Sequence, residues 1–335
     1  MSLLFMEGFD QYKDQTYIIG TAKWANVTSA GTLTTGRLGG NSWRTVNSDI
    51  LTSITMPNTA TWIVGMAIQF SAFRAATILR LLDGSSVQLA VAETASGALS
   101  VSRGSTVLAT SAAVLSTGIW HYLEFKATIN NTTGSYELRL NGKPILSGTS
   151  ADTQDTANAY ANKFSIGQSG VGVGYVYFDD IYVLDDAGTF NNDFLGDVAV
   201  FTRYPASDES VSFTPSTGAA NYPLVGQVST GDADYVSSAT PGDTDVYGLS
   251  ALSTPGTPQV VAGVAVSARG WKTDAGGRTA RVNLLSGSST LSGATIAITT
   301  SAMWFEKITE TDPATSGAWT VSGVEAVRAG IEVVS

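Results

Sequence analysis

Trp120-His121-Tyr122-Leu123-Glu124-Phe125-Lys126-Ala127-Thr128-Ile129 alternates apolar and polar residues. Successive side chains on a strand point to opposite faces. His121, Leu123, Phe125, Ala127 and Ile129 therefore form an apolar row, while Glu124, Lys126 and Thr128 face the other way. Asn130-Asn131-Thr132-Thr133-Gly134 has the composition of a turn, and Tyr136, Leu138 and Leu140 share one face of the returning strand. Asn141-Gly142 tolerates the positive φ of a type I′ hairpin turn. Lys143-Pro144-Ile145-Leu146 follows as a short strand whose proline suits an edge or a strand start. Residues 119–147 thus read as a three-stranded antiparallel meander.

The same period recurs at Leu3–Phe9, Thr61–Phe70, Thr77–Leu82, Val87–Val91, Ala98–Ser102, Lys163–Gly167 and Tyr175–Leu184. Helical periodicity is confined to a short turn around Asp152–Ala161. Short strands separated by turn chemistry predict a sandwich or jelly roll over residues 1–190. Residues 191–258 hold six of the nine prolines, which disfavours long regular strands. Aromatics nevertheless recur there, so the stretch is expected as an extended arm laid on a neighbouring surface, with Phe201, Tyr204, Phe213, Tyr222, Tyr235 and Tyr247 as its assembly anchors. Alternation resumes at 260–268, 280–284, 304–308 and 329–333, predicting a small β domain over 259–335. Trp271–Arg278 reads as its prominent hairpin loop.

Composition narrows the chemistry. The 335 residues include no Cys and one His, which excludes disulfides, thiolate metal sites and a cluster of His ligands. Charged residues make up 14%, below the roughly 25% usual in globular chains. The formal charge of −10 with no basic run argues against nucleic acid or an anionic membrane as partner. The first ten residues lack a basic n-region and a long apolar run, so no secretory signal is expected. The apolar stretch 60–70 is too short to span a bilayer.

Gly118–Phe125 followed by Tyr136–Pro144 resembles the core meander of concanavalin A-like, laminin-G-type jelly rolls. Tyr177-Phe178-Asp179-Asp180-Ile181-Tyr182-Val183 is similar to the closing strand of that superfamily, and Met6-Glu7-Gly8-Phe9-Asp10 to its opening strand. The resemblance covers about residues 1–190 and implies two packed antiparallel sheets with a glycan- or protein-binding role. Phe201–Pro205, Phe213–Tyr222 and Gly242–Tyr247 resemble segments of tailed-bacteriophage virion proteins. That resemblance implies a non-enzymatic particle component made in the host cytoplasm, as head decoration, tail or fibre protein. It would form a homo-oligomer, a trimer being one such order, bound to other capsid or tail proteins, with the jelly roll touching host-surface glycans. A free lectin-like module and a polysaccharide depolymerase are the alternatives.

His121 is the only imidazole and lies on an apolar row, which favours a structural role over a catalytic one. The superfamily's Glu-x-Asp-x-x-Glu hydrolase pattern is missing. Asp179 and Asp180 are adjacent, so an unbroken strand would send them to opposite faces. Glu124 and Glu137 beside Lys126 and Arg139 read as ion pairs. No cofactor is required by the sequence. Calcium is the candidate, with Glu7, Asp10, Asp179 and Asp180 as ligands because the opening and closing strands are neighbours in the resembling fold; the alternative is that these acids cap turns or pair with Arg or Lys. Asp232, Asp234, Asp243 and Asp245 lack the EF-hand pattern and read as a solvated loop. The glycines at 170–174 precede a strand without Lys-Ser/Thr and are no phosphate cradle. Most tryptophans are expected as core anchors. Trp271, in a Gly-rich polar loop with Arg278, is the candidate for contact with a partner or glycan.

Overall fold

A computed structural model describes residues 2–18, 23–27, 31–45, 48–168, 174–218, 220–226, 228–229, 231–254, 256 and 260–335. Of the 170–174 glycines only Gly174 is described; Pro255 and Pro258 of the expected arm lie outside the described residues. The chain divides into two compact units, residues 1–10, 14–19 and 23–200, and residues 11–13, 20–22 and 201–335.

The strands of the first unit are β1 (Leu3–Glu7), β2 (Trp24–Val27), β3 (Thr32–Thr35), β4 (Asn41–Arg44), β5 (Ile50–Ser53), β6 (Thr61–Phe70), β7 (Thr77–Asp83), β8 (Ser86–Glu93), β9 (Ala98–Arg103), β10 (Thr106–Ala113), β11 (Trp120–Thr128), β12 (Gly134–Leu140), β13 (Lys143–Ala151), β14 (Lys163–Gly167) and β15 (Val176–Leu184). They form an eight-stranded sheet in the order β13-β12-β11-β6-β15-β4-β3, with β1 also on β15, and a seven-stranded sheet in the order β10-β9-β8-β7-β14-β5-β2. The pairings are antiparallel throughout, as a jelly-roll β-sandwich requires.

The meander forms as the alternation dictates. Leu123 and Phe125 are buried, with Phe125 beside Val64 of β6 and Leu138 of β12. Asn141 and Gly142 take φ of 51° and 74°, the positive-φ turn that these two residue types tolerate. β13 runs on to Ala151, well past the expected Leu146. Between the sheets, Phe5 of β1 meets Trp24 of β2 and Phe164 of β14 edge-on, with centroids 5.1 and 5.0 Å apart. Trp43 and Phe178, cross-strand partners within the eight-stranded sheet, meet at 5.7 Å. Each large ring withdrawn from water contributes about 1.5–3 kcal/mol, and the contacts of Phe5 with Trp24 and Phe164 join the two layers. His121 is 4% exposed, on the same row as Leu123. Its ring nitrogens lie 3.2 Å from the Ser116 backbone and 3.4 Å from the Asn141 amide. The turn expected around Asp152–Ala161 is not helical. It is an irregular loop tied down by Gln88, whose Oε1 accepts from the backbone N–H of Asp155 and of Thr156.

The second unit contains β16 (Pro205–Ser210), β17 (Thr214–Pro215), β18 (Val236–Ser237), β19 (Thr244–Leu249), β20 (Val264–Gly270), β21 (Thr279–Ser286), β22 (Ser289–Ser292), β23 (Ile296–Ala297), β24 (Met303–Thr309) and β25 (Arg328–Val333). Its main sheet runs β16-β19-β25-β21-β22, with β23 also on β21. Residues expected as an arm thus supply two strands of this sheet, and the division between units falls at Val200/Phe201 rather than at 190. β20 pairs with β24, so residues 271–278 link two different sheets and are not a hairpin loop. Val266, Val282, Leu284, Phe305 and Trp319 form the core of the unit.

Candidate functional site: the outer face of the eight-stranded sheet

Alternation places a second set of residues on the face of the eight-stranded sheet that points away from the sandwich interior. His121, Ile68, Phe178 and Trp43 point inward and are buried, so Trp120, Gln69, Tyr177 and Arg44 beside them point outward. The ladder registers Trp120 with Gln69, Gln69 with Tyr177, and Tyr177 with Arg44. This is one continuous row across β11, β6, β15 and β4, about 14 Å long at the usual strand spacing. All four residues are partly exposed. Trp120 and Tyr177 meet edge-on at 6.3 Å, and the Arg44 guanidinium lies 4.6 Å from the ring of Tyr175, which is 39% exposed. Gln69 donates to the Gly118 carbonyl at 3.3 Å. Among the described residues, the Trp120 indole N–H and the Tyr175 and Tyr177 hydroxyls have no hydrogen-bond partner.

Further along the same face the polar residues are covered. Residues 185–200 run as a strap across Tyr122, Glu124, Lys126, Arg139 and Tyr182. Phe194 lies 3.9 Å under the Arg139 guanidinium, and Asp193 accepts from Lys126 at 3.0 Å. Glu124 is 1% exposed; one carboxylate oxygen accepts from the Tyr182 hydroxyl at 2.6 Å and from the Gly196 N–H at 2.8 Å. Its other oxygen is buried without a hydrogen-bond partner. Burial, and then the neighbouring Glu124 carboxylate, push the Tyr182 hydroxyl pKa upward. Gly65 opposite is dictated by this ring, since a Cβ there would lie 2.1 Å from it. Of the expected pairs, Glu137 holds Arg139 at 2.6 Å, whereas Lys126 binds the strap and Glu124 pairs with no cation among the described residues.

The expected calcium ligands divide between separate tasks. Glu7 is fully buried and accepts from the Trp24 indole at 3.1 Å and the Phe9 N–H at 2.9 Å, with Lys23 at 4.0 Å. Asp10 accepts from the Asn41 N–H at 2.7 Å. Asp179 accepts from the Arg37 N–H at 2.8 Å. Asp180 accepts from the Arg37 Nε at 2.8 Å and the Val200 N–H at 2.7 Å. Arg37 also pairs with Asp197, donates to the Val198 carbonyl and stacks 5.3 Å from Tyr122. The adjacent acids do not diverge as an unbroken strand would have them: the ladder is irregular between Asp179 and Tyr182, and Asp180 takes φ +50°, so both serve Arg37. An arginine thus supplies the positive charge here. Among the described residues no three His, Cys, Asp or Glu are grouped to hold a metal ion. These four acids, each held by donors of the chain, do not fit a calcium shell. Burial raises the Asp10 carboxyl to about 6 and pushes Asp179 and Asp180 upward, Asp179 also by its neighbour's charge.

In the second unit Trp271 is partly buried, edge-on against Tyr235 at 5.8 Å, and Arg278 binds Asp274 at 3.0 Å. Phe213 and Tyr247 are buried in their own unit, which removes them as anchors onto another subunit. Phe201, Tyr204 and Tyr222 are partly buried, and Tyr235 is 42% exposed. Asp245 is fully buried and so does not belong to a solvated loop, while Asp232 forms a two-point pair with Arg269. The sequence reading passed over the outward row. Its signal was the parity that singled out Glu124 and Lys126, which also turns Trp120 and Tyr122 away from the core.

The sequence matches no protein-family model, and no curated protein matches it. Among solved structures, the chain is similar to a sialidase (11% identity, TM-score 0.40, 54% of this chain and 18% of that one). It is also similar to domain 4 of AbnA, a GH43 extracellular arabinanase from Geobacillus stearothermophilus, in complex with arabinotriose (14%, 0.40, 55% and 92%). A third is the binding domain of Paraclostridial Mosquitocidal Protein 1 (14%, 0.39, 55% and 48%). The chain therefore spans 18% of the sialidase and about half of the mosquitocidal protein's binding domain. These scores lie below 0.5, and the architecture is defined by the strand pairing of the chain itself. Fold and face together define an all-β protein whose jelly-roll sandwich presents an aromatic and polar row on one sheet.

Proposed function

We propose that the protein is a non-catalytic glycan-binding β-sandwich protein that seats an oligosaccharide across Trp120, Gln69, Tyr177 and Arg44. The observation that carries this reading is the exposed row itself. Tyr and Trp present a flat apolar face together with a polar tip and are favoured where a partner is part apolar and part wet. A pyranose ring has that character, with C–H groups on its faces and hydroxyls at its rim. The platform rings are partly exposed, and among the described residues their polar atoms make no hydrogen bond. A retaining glycosidase needs two carboxyls about 5–5.5 Å apart flanking the bond it cleaves. The exposed row carries none, and Glu124, on the same face, lies beneath the strap. This supports binding without hydrolysis.

The test is a glycan array probed with the full chain, wild type and Trp120→Ala. Binding that the substitution reduces at least tenfold supports the reading; an array without hits, or hits unaffected by Trp120→Ala, overturns it. Placement of this binder on a phage particle is supported by the resemblance of 201–205, 213–222 and 242–247 to virion proteins. Immunogold labelling of purified virions tests that placement, and unlabelled particles refute it.

A further inference from the structure

We infer that the ligand of this face is an acidic glycan, whose sugar carboxylate pairs with Arg44. The inference rests on the glycan-binding reading and adds the chemical class of the sugar. It starts from where the cations of the face find their counter-charges. Arg37 is paired with Asp180 and Asp197, Lys126 with Asp193, and Arg139 with Glu137. Arg44, on the same sheet face, has neither an ion pair nor a hydrogen bond from its side chain among the described residues, and its Nε is buried without a partner. None of the remaining residues of the chain is Asp or Glu, so none of them supplies a side-chain carboxylate. In a chain with 28 acidic residues against 18 basic ones, a half-buried guanidinium lacking a carboxylate is a position left open.

Geometry points the same way. The Arg44 guanidinium carbon lies over the Tyr175 ring, 4.6 Å from its centroid, a cation–π contact that restrains the side chain before any ligand arrives. A planar, pre-oriented fork matches the two oxygens of a carboxylate better than it matches a lone hydroxyl. Arg44 ends the row begun by Trp120, with Tyr177 and Gln69 between them. One sugar ring can therefore lie against the aromatics while the acid group of the same or the next residue reaches the guanidinium. The net charge of −10 disfavours anions at long range. Screening over about 10 Å at 0.1 M salt removes most of that repulsion while leaving the short-range pair in place.

The experiment uses the full chain and matched pairs of oligosaccharides bearing uronate or sialate, each tested as the free acid and as its neutral methyl ester, by calorimetry at 0.15 M salt. Wild type is expected to bind at least one acid about tenfold or more tighter than its ester. Arg44→Gln is expected to erase that preference, lowering acid affinity at least as far as ester affinity, and Arg44→Lys to restore part of it. Far-ultraviolet circular dichroism and the melting midpoint of each variant confirm folding. Equal affinity for acid and ester in every pair, or a preference that survives Arg44→Gln, refutes the acidic-glycan inference and leaves glycan binding standing. Failure of every acid and every ester to bind refutes both.

Discussion

Replacing Asp245 by alanine is expected to destabilise the second unit by about 4 kcal/mol. The carboxylate is fully buried and accepts four hydrogen bonds: from the N–H of Ser212 at 2.7 Å and of Phe213 at 2.8 Å, from the Asn221 amide at 2.7 Å, and from the Tyr247 hydroxyl at 2.7 Å. Ser212 is exposed and its N–H can turn to water, whereas Phe213, Asn221 and Tyr247 are buried. Truncation therefore orphans three buried donors, each costing about 1–1.5 kcal/mol. The total approaches the whole stability of many domains. Asp245→Asn keeps one acceptor oxygen and points an amide at the other donors, so about half that loss is expected. Urea unfolding of the full chain measures it: with a slope of about 2 kcal/mol/M, the alanine variant shifts the midpoint of the second unit by about 2 M. A midpoint within 0.5 M of wild type, corresponding to about 1 kcal/mol at that slope, would refute the reasoning. It would also show that residues 205–249 are not the integral sheet component that β16 and β19 make them.

Three further outcomes follow from particular contacts. Burial raises the Asp10 carboxyl from 3.8 to about 6, so between those values the folded chain keeps a proton that the unfolded chain has released. Stability of the first unit therefore falls as pH rises from about 4 to about 6, by about 1–2 kcal/mol once solvent screening of this partly exposed carboxyl is counted. Asp10→Asn flattens that slope in urea midpoints taken at pH 4 and 7, and an unchanged slope counts against it. Gly65→Ala brings a Cβ to 2.1 Å from the Tyr182 ring and is expected to cost about 1–3 kcal/mol; calorimetric melting of the variant at the wild-type temperature would contradict it. Trp271→Ala loses the edge contact with Tyr235 in a partly buried loop. It is expected to leave glycan affinity unchanged, and a tenfold loss on the array would move the site to the second unit.

How far the sequence could be read depends on the range of the forces involved. The meander at 119–147 was legible because alternation and the Asn141-Gly142 turn act over a few residues, and the structure places His121 on its apolar row for the same reason. The Asp152–Ala161 turn misled because composition says nothing of Gln88, whose amide organises that loop from 67 residues away. The arm misled because prolines discourage long strands but permit short ones. Pro205 opens β16, whose partner β19 lies about 40 residues on.

By itself, then, the sequence determined the all-β class, most strand positions in the first unit and the parity of the meander strands, since these follow from local sterics and a period of two. Only the tertiary structure decided which outward residues become neighbours. Arg44, Gln69, Trp120 and Tyr177 are scattered over more than 130 positions, and strand register alone brings them into one row. The irregular ladder at Asp180 and the strap over Glu124 likewise depend on backbone hydrogen bonds between distant segments. Charge pairing on that face is a property of the assembled ladder, and it leaves Arg44 without a carboxylate.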